Sequence, residues 1–372
     1  MYEKRKKILK KVNISLFIAV CMLAISSCAV KTKIYEIKPA EVSLQGIKTL
    51  AVLKFTGKYG ESVRSDFYNR LTNVKHFNLI DTTNVNALDR VIFDQIDDPR
   101  FLPELEALHA DGVITGRVTA DINDRHGSDQ MQMQEGTGRY KKGTNIFGQE
   151  VDVEIMRTVL KPVKYVIRQA SLTTDFKVFD LRTKKVIATG KVTKNYNEKF
   201  GGKNDNFFSG KTMSKLPAKN QTLNELSSLV SIALVAKISP TQITNTVCFD
   251  DGGTLGIGGH KGIKRGIEFA KRGIWKDAIE IWNDIIKTEP NNASAYYNLG
   301  IAYESFKTLN NLQKALTLYK KAVRNGDKKL YLDAMARTKN KIKDRKKYDQ
   351  QKQMLNNKPA KKNRGSQGLR IY

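Results

Sequence analysis

The sequence predicts an α/β domain followed by an all-α domain built from helical repeats. Strand-like and helix-like segments alternate between residues 47 and 118, which is typical of a layered sheet with helices packed on it. Farther along, Gly266-Ile-Glu-Phe269 and Gly300-Ile-Ala-Tyr303 lie 34 residues apart, a spacing typical of helical repeats. The 372 residues leave room for two domains of about 100 to 200 residues each.

Residues 1–27 predict a lipoprotein signal peptide. The basic head MYEKRKKILKKVN precedes an apolar run, residues 14–25, that would span only about 18 Å as a helix against a bilayer core of about 30 Å. Ile25, Ser26 and Ser27 then lead to Cys28, a pattern that resembles the bacterial lipobox, whose cysteine thiol receives the lipid. An uncleaved anchor and a plain signal peptide with an accidental cysteine are the alternatives.

The residue after the cysteine indicates in which membrane the lipoprotein is expected to lie. In Gram-negative lipoproteins an Asp at that position commonly retains the protein at the inner membrane, whereas here it is Ala29. The resemblance therefore implies an outer-membrane protein that faces the periplasm and is held by its lipid. We expect residues 28–45 to form a tether, followed by an α/β domain over residues 46–245.

Hydrophobic patterning predicts the elements of the α/β domain in order. The expected strands are residues 47–55, 77–80 and 111–118, and the expected helices are residues 60–72, 84–93 and 103–109. Residues 170–194 predict two alternating strands joined by a turn at Leu181 to Lys185, and residues 223–238 predict a closing helix that ends before Pro240.

Three segments, IKTLAVLKF, HFNLID and LHADGVITGRV, follow one another before the hairpin and the closing helix. A chain with segments in this order resembles the CsgG-like group of envelope lipoproteins. That group includes the curli secretion channel and smaller periplasmic relatives that assist polysaccharide export or activate peptidoglycan synthases. The resemblance implies a non-enzymatic role in export or assembly of an envelope component. This chain has Lys184 where the family usually has glycine in the hairpin turn.

Two segments correspond to the hairpins that the channel-forming member inserts into the membrane. A lipid-facing strand needs about ten alternating apolar and polar residues, but residues 123–165 are mostly polar and alternate only over Val151 to Ile155. Residues 197–219 show no usable alternation. We therefore expect polar surface loops, and a subunit of an oligomeric CsgG-type secretion channel is the alternative.

Residues 259–328 match two tetratricopeptide (TPR) repeats. Small residues that let helices approach closely alternate with aromatic residues that fill the gaps between them. The matching positions are Gly266, Phe269, Ala278, Trp282, Pro290, Tyr296, Leu299, Gly300, Tyr303, Ala315, Tyr319 and Ala322. A glycine-rich linker is predicted over residues 246–260, a capping helix over residues 329–356 and a disordered basic tail over residues 357–372.

In such repeats the first helix lines a concave face that binds peptides or helices. In the second repeat the predicted groove consists of Ser294, Tyr297, Asn298, Ile301, Glu304 and Ser305. These residues are expected either to bind a protein partner or to brace the neighbouring domain, and the sequence leaves both interpretations open.

Motifs for catalysis, metal binding or nucleotide binding do not occur in the sequence, so we expect no enzyme, no cofactor and no metal. The formal net charge is +28, and residues 321–372 hold 17 Lys and Arg against four Asp. This basic end lacks the interleaved aromatic residues of a nucleic-acid platform. An anionic lipid or envelope polymer is the expected partner of the tail, nucleic acid is not expected, and a homo-oligomer remains open.

Overall fold

The computed structural model describes residues 30–83, 85–204, 210–253 and 258–356. The chain divides into two compact units. The sheet unit is residues 42–239. The helical unit combines residues 30–41 with residues 240–356. The lipobox and the basic tail lie outside the described residues.

The sheet unit contains five strands in the order β3-β2-β4-β5-β6. The strands are β2 (Thr49–Thr56), β3 (Asn78–Asp81), β4 (Gly112–Thr144), β5 (Glu150–Asp180) and β6 (Lys185–Gly201). β2 pairs in parallel with β3 and β4, whereas β4, β5 and β6 are antiparallel neighbours. At the β5–β6 turn, Lys184 adopts φ 56°, so a lysine occupies a left-handed position that usually favours glycine.

Helices cover one face of this sheet. The helices α1 (Gly60–Val74) and α3 (Lys219–Ile238) place Phe67, Val230 and Leu234 against the sheet in one apolar core. The opposite face is covered by the short helix α2 (Leu102–Glu106) and by 3₁₀ turns. The helix expected over residues 84–93 is instead two 3₁₀ turns, Asn86–Arg90 and Phe93–Gln95, because their contacts with the sheet override the weak helical pattern.

Residues 123–165, which we expected to form a polar surface loop, instead belong to a long hairpin of β4 and β5. β6 pairs with β5 only as far as the Tyr165–Gly201 pair, while β4 and β5 stay paired to their ends, Thr144 and Glu150. We call residues 128–144 and 150–164 the ribbon. Because solvent reaches both of its faces, the ribbon has no buried side to impose an apolar alternation, and the sequence pattern could not reveal it.

The helical unit begins with a strand rather than with a tether. β1 (Lys31–Lys38) pairs antiparallel with β7 (Thr241–Cys248) over the whole length of both strands. The expected tether and the expected linker therefore both contain ordered strand residues. The pairing joins segments about 210 residues apart, which no local pattern in the sequence could show.

Five helices complete this unit: α4 (Lys261–Lys271), α5 (Trp275–Thr288), α6 (Ala293–Ser305), α7 (Leu309–Asn325) and α8 (Lys329–Asn356). Side-chain caps begin three of them, since His260, Asn292 and Thr308 each accept a hydrogen bond from the backbone of the first turn. The core of the unit includes Ile34 of β1 and Phe249 just after β7.

Candidate functional site

The chain is held in the helical unit from Val30 onward. The Val30 carbonyl accepts a hydrogen bond from the Phe249 amide (2.7 Å), and Lys31 pairs with Cys248. Cys28, Ile25, Ser26 and Ser27 lie outside the described residues. Cys28 precedes the first strand by three residues in the sequence.

The residues chosen for the repeat pattern form close contacts between paired helices. A Cβ on Gly266 would lie 2.3 Å from Trp282 Nε1, and a Cβ on Gly300 would lie 2.4 Å from Tyr319 Cε1. Each helix pair therefore uses one glycine facing one aromatic ring. Most of the other predicted packing residues are buried, whereas Phe269 and Tyr303 are half-buried and Pro290 is exposed. The buried ones are Ala278, Tyr296, Leu299, Ala315 and Ala322.

The predicted partner groove is filled by the chain itself. Ser294, Tyr297, Asn298, Ile301 and Glu304 are buried, and Ser305 is half-buried. The end of β7 and the residues after it cover this face. The Tyr297 hydroxyl donates to the Cys248 carbonyl (2.8 Å), and the Asn298 amide pairs with the Asp250 backbone. Repeat spacing identifies this face of α6 but carries no information about which segment covers it.

Asp250 is the centre of this contact, and no pattern in the sequence singles it out. Its carboxylate accepts hydrogen bonds from the Ser294 hydroxyl (2.9 Å), from Lys328 Nζ (2.7 Å) and from the Tyr331 hydroxyl. Burial by itself would raise the pKa of Asp250, but these donors hold that pKa below its usual range. One ionised carboxylate therefore ties the start of α6 and the start of α8 to β7.

A second buried carboxylate, Glu304, lies farther along α6. It accepts hydrogen bonds from Arg337 (2.8 and 2.9 Å) and from the Tyr319 hydroxyl (2.6 Å), and it pairs with Lys341 at 2.8 Å. Burial opposes ionisation of Glu304, yet the Arg337 and Lys341 charges hold its pKa below the usual range. Arg337 and Lys341 lie one turn apart on α8, so both cations reach the Glu304 carboxylate.

This second cluster extends to the strand that follows the lipobox. Glu36 of β1 is buried, lies 3.9 Å from Lys341 and also pairs with Lys38. Lys38 in turn pairs with Asp344 of α8 at 2.7 Å. Only a cavity of about 20 Å³ remains beside Glu36 and Glu304, enough for one water molecule. This cluster therefore attaches β1 to α8 and leaves no room for a larger ligand.

Part of the ribbon carries charge on only one of its faces. Paired residues of antiparallel strands share a face, and between Gln130 and Gly136 the paired residues of one face are all uncharged. At the two ends of this stretch the same face carries Glu154, whose carboxylate lies against Gly136, and Lys164. The uncharged stretch of that face consists of Gln130, Gln132, Gln134, Gly136, Met156, Thr158, Leu160 and Pro162. On the other face Glu135 pairs with Arg157 (3.0 Å) and Lys161 (2.9 Å).

Among the described residues no group of three or more His, Cys, Asp or Glu side chains could hold a metal ion. In the same part of the chain, no helix is long and apolar enough to cross a bilayer.

No protein-family model matches this chain, and no curated protein matches it. Several solved structures are similar to part of this chain. A PelC dodecamer from Paraburkholderia phytofirmans is 13% identical and covers 56% of this chain and 98% of its own, with a TM-score of 0.24. Lipoprotein GNA1162 from Neisseria meningitidis is 10% identical and covers 50% of this chain and 97% of its own, with a TM-score of 0.25.

Proposed function

We propose that the protein is a non-enzymatic lipoprotein of the outer membrane, facing the periplasm, that serves as a scaffold or accessory factor in export or assembly of an envelope component. The observation that carries the proposal is the position of β1. This strand starts three residues after the lipobox cysteine and is paired and packed within the helical unit. A lipid on Cys28 would therefore hold that folded unit at the membrane surface.

The rest of the molecule suits a scaffold in two ways. The ribbon projects about 50 Å beyond the end of β6, at about 3.3 Å for each of its residues. The helical unit uses its buried carboxylates to fix its own segments.

We also infer that α4–α7 are two TPR repeats, because both pairs show the same glycine–aromatic contact. A protein partner would then bind a surface other than the filled groove.

The lipid attachment is tested by Cys28→Ala in the full-length protein. We expect loss of the acyl mass increment and release of the protein from the membrane fraction. Cys21→Ala is the matched control, since Cys21 lies in the predicted apolar run of the signal and should leave both readouts unchanged. An unchanged mass and unchanged fractionation of Cys28→Ala would refute the proposal.

The ribbon favours a second candidate, a subunit of a ring-shaped secretion channel. A two-stranded ribbon is marginally stable by itself in water, and its outer edges leave backbone groups open to pairing with another copy. The uncharged face could then lie against lipid. This candidate stays second because that face is only about seven residues long on each strand, where a membrane strand needs about 9 to 11, and it carries three glutamines.

Negative-stain imaging of the detergent-extracted protein separates the two candidates. Rings with a central opening would support the channel, whereas monomers or dimers would exclude it. Leu160→Arg sharpens the test by placing a charge on the uncharged face, and this should abolish membrane insertion of a ring. Val159→Arg, on the opposite face, is the matched control.

A further inference from the structure

One end of the helical unit carries exposed basic side chains that the folded chain does not neutralise. They are Lys31, Lys261, Arg265, Arg324 and Lys329. They belong to four different elements: the first residue of β1, the first two turns of α4, the first turn of α8 and the last turn of α7. None of the five forms an ion pair with a residue that the structure describes.

Several contacts show that these elements meet at a single end. Lys31 pairs with Cys248, two residues before Asp250, and the Asp250 carboxylate accepts hydrogen bonds from the starts of α6 and α8. The Asp251 carbonyl accepts from the His260 amide, just before α4. The turn after α7 packs here too, because a Cβ on Gly326 would lie 3.0 Å from Ala293 Cβ.

The acidic groups at this end are mostly engaged. Asp250 is buried and paired with Lys328, Asp251 lies 3.8 Å from Lys264, and Glu289 contacts His260 and Asn292. Asp327 and Asp333 are exposed carboxylates there among the described residues, so the five unpaired cations outnumber them. The end surface is therefore cationic at neutral pH.

This cationic end is also the end from which the chain leads back to Cys28. We propose that it binds the anionic headgroups of the bilayer that anchors the lipid, so that the helical unit stands on the membrane with α8 directed away from it. The inference rests on the lipid attachment proposed above, because that attachment brings the surface within about 10 Å of the headgroups. Basic residues at that distance are attracted to an anionic surface, and the attraction falls off over about 10 Å in 0.1 M salt.

The test measures how much of the mature chain binds to lipid vesicles. The chain is made without its signal and with Cys28→Ser. One set of vesicles is phosphatidylcholine alone, and the other contains about one third phosphatidylglycerol. We expect partition into the anionic vesicles only. Lys261→Gln with Lys329→Gln should lower it about 25-fold, at about five-fold for each charge removed. The basic tail is present in every variant and contributes the same background.

Lys339→Gln with Lys343→Gln is the matched control. Both lysines are exposed on α8 without an ion pair among the described residues, and they lie about 15 to 21 Å farther along the helix than Lys329. The control should lose less than about two-fold. Unchanged partition of the Lys261/Lys329 variant, an equal loss in the control, or equal binding to neutral vesicles would each overturn the proposal.

A second measurement uses the lipidated full chain in the same anionic vesicles. A fluorophore is attached at Lys329→Cys or at Lys343→Cys, each in a Cys248→Ala background, and is quenched by a headgroup-labelled lipid. Stronger quenching at position 329 supports the proposed orientation, whereas equal or weaker quenching there overturns it. Failure of Cys28 acylation would appear in the mass measurement and would leave the vesicle partition standing.

Discussion

The Glu304 cluster of the helical unit and the Arg64 pair of the sheet unit differ in how completely their charges are buried. In the helical unit Glu304 is fully buried, and Lys341 beside it is only 3% exposed. In the sheet unit Arg64 is 4% exposed and pairs with Asp81, whose side chain is about half exposed. Asp81 keeps part of its water, while Glu304 has exchanged water for protein donors.

The difference shows what each charge cluster does. Arg64 reinforces a sheet already held by an apolar core and by a regular ladder of strands. The Glu304 and Asp250 clusters attach remote segments, β1 and α8, to the repeat helices. Breaking a fully buried pair is costly because the partner left behind has no solvent, so the two units should respond differently to loss of a charge.

The largest expected effect is that of Glu304→Gln. The neutral amide leaves Arg337 and Lys341 without their main counter-charge, and we expect the helical unit to lose about 3 to 5 kcal/mol. Both tryptophans of the chain, Trp275 and Trp282, belong to this unit, so tryptophan fluorescence during urea denaturation reports on it. Glu268→Gln, at an exposed i,i+3 pair, is the control. Equal midpoints for the two variants would contradict the comparison.

The next largest loss of stability is expected from shortening the Ile34 side chain of β1. Ile34 is 1% exposed in the core of the helical unit, and Ile34→Ala should destabilise that unit by about 3 kcal/mol through lost burial and the cavity left behind. Lys33→Ala, at the exposed neighbouring position, should change the tryptophan transition by less than about 0.5 kcal/mol. If residues 31–38 acted only as a tether, both variants would match the unmodified protein.

A smaller loss is expected from Gly300→Ala. The added Cβ would lie 2.4 Å from the Tyr319 ring, so the two helices must separate, at a cost of about 1 to 3 kcal/mol. Since alanine favours a helix by about 1 kcal/mol over glycine, a net gain in the urea midpoint would show that α6 and α7 are not in close contact.

The smallest effect is expected in the sheet unit. Arg64→Met removes a hydrogen bond to the Val52 carbonyl, which keeps its bond from the Thr82 hydroxyl, and leaves Asp81 in water. We expect a loss of about 1 to 2 kcal/mol, measured by hydrogen exchange of residues 49–56. A loss as large as that of Glu304→Gln would remove the distinction between the units.

Local patterns were informative wherever an element faces one core. The predicted helix at 60–72 corresponds to α1, because Val63, Phe67 and Leu71 form one buried face. The repeat spacing placed Gly266 and Gly300 opposite aromatic rings. Local patterns failed for the ribbon, which has no buried face, and for residues 84–93, where contacts with the sheet select 3₁₀ turns.

The sequence by itself indicated individual helices such as α1 and the positions of the small and aromatic residues in the helix pairs, because these depend on periodicity within short segments. The tertiary structure alone decided that β1 pairs with β7, that Asp250 and α8 fill the predicted groove, and that one face of the ribbon is uncharged between Gln130 and Gly136. Those features depend on contacts between residues far apart in the chain, and a pattern of residue types does not specify which distant segment supplies the partner.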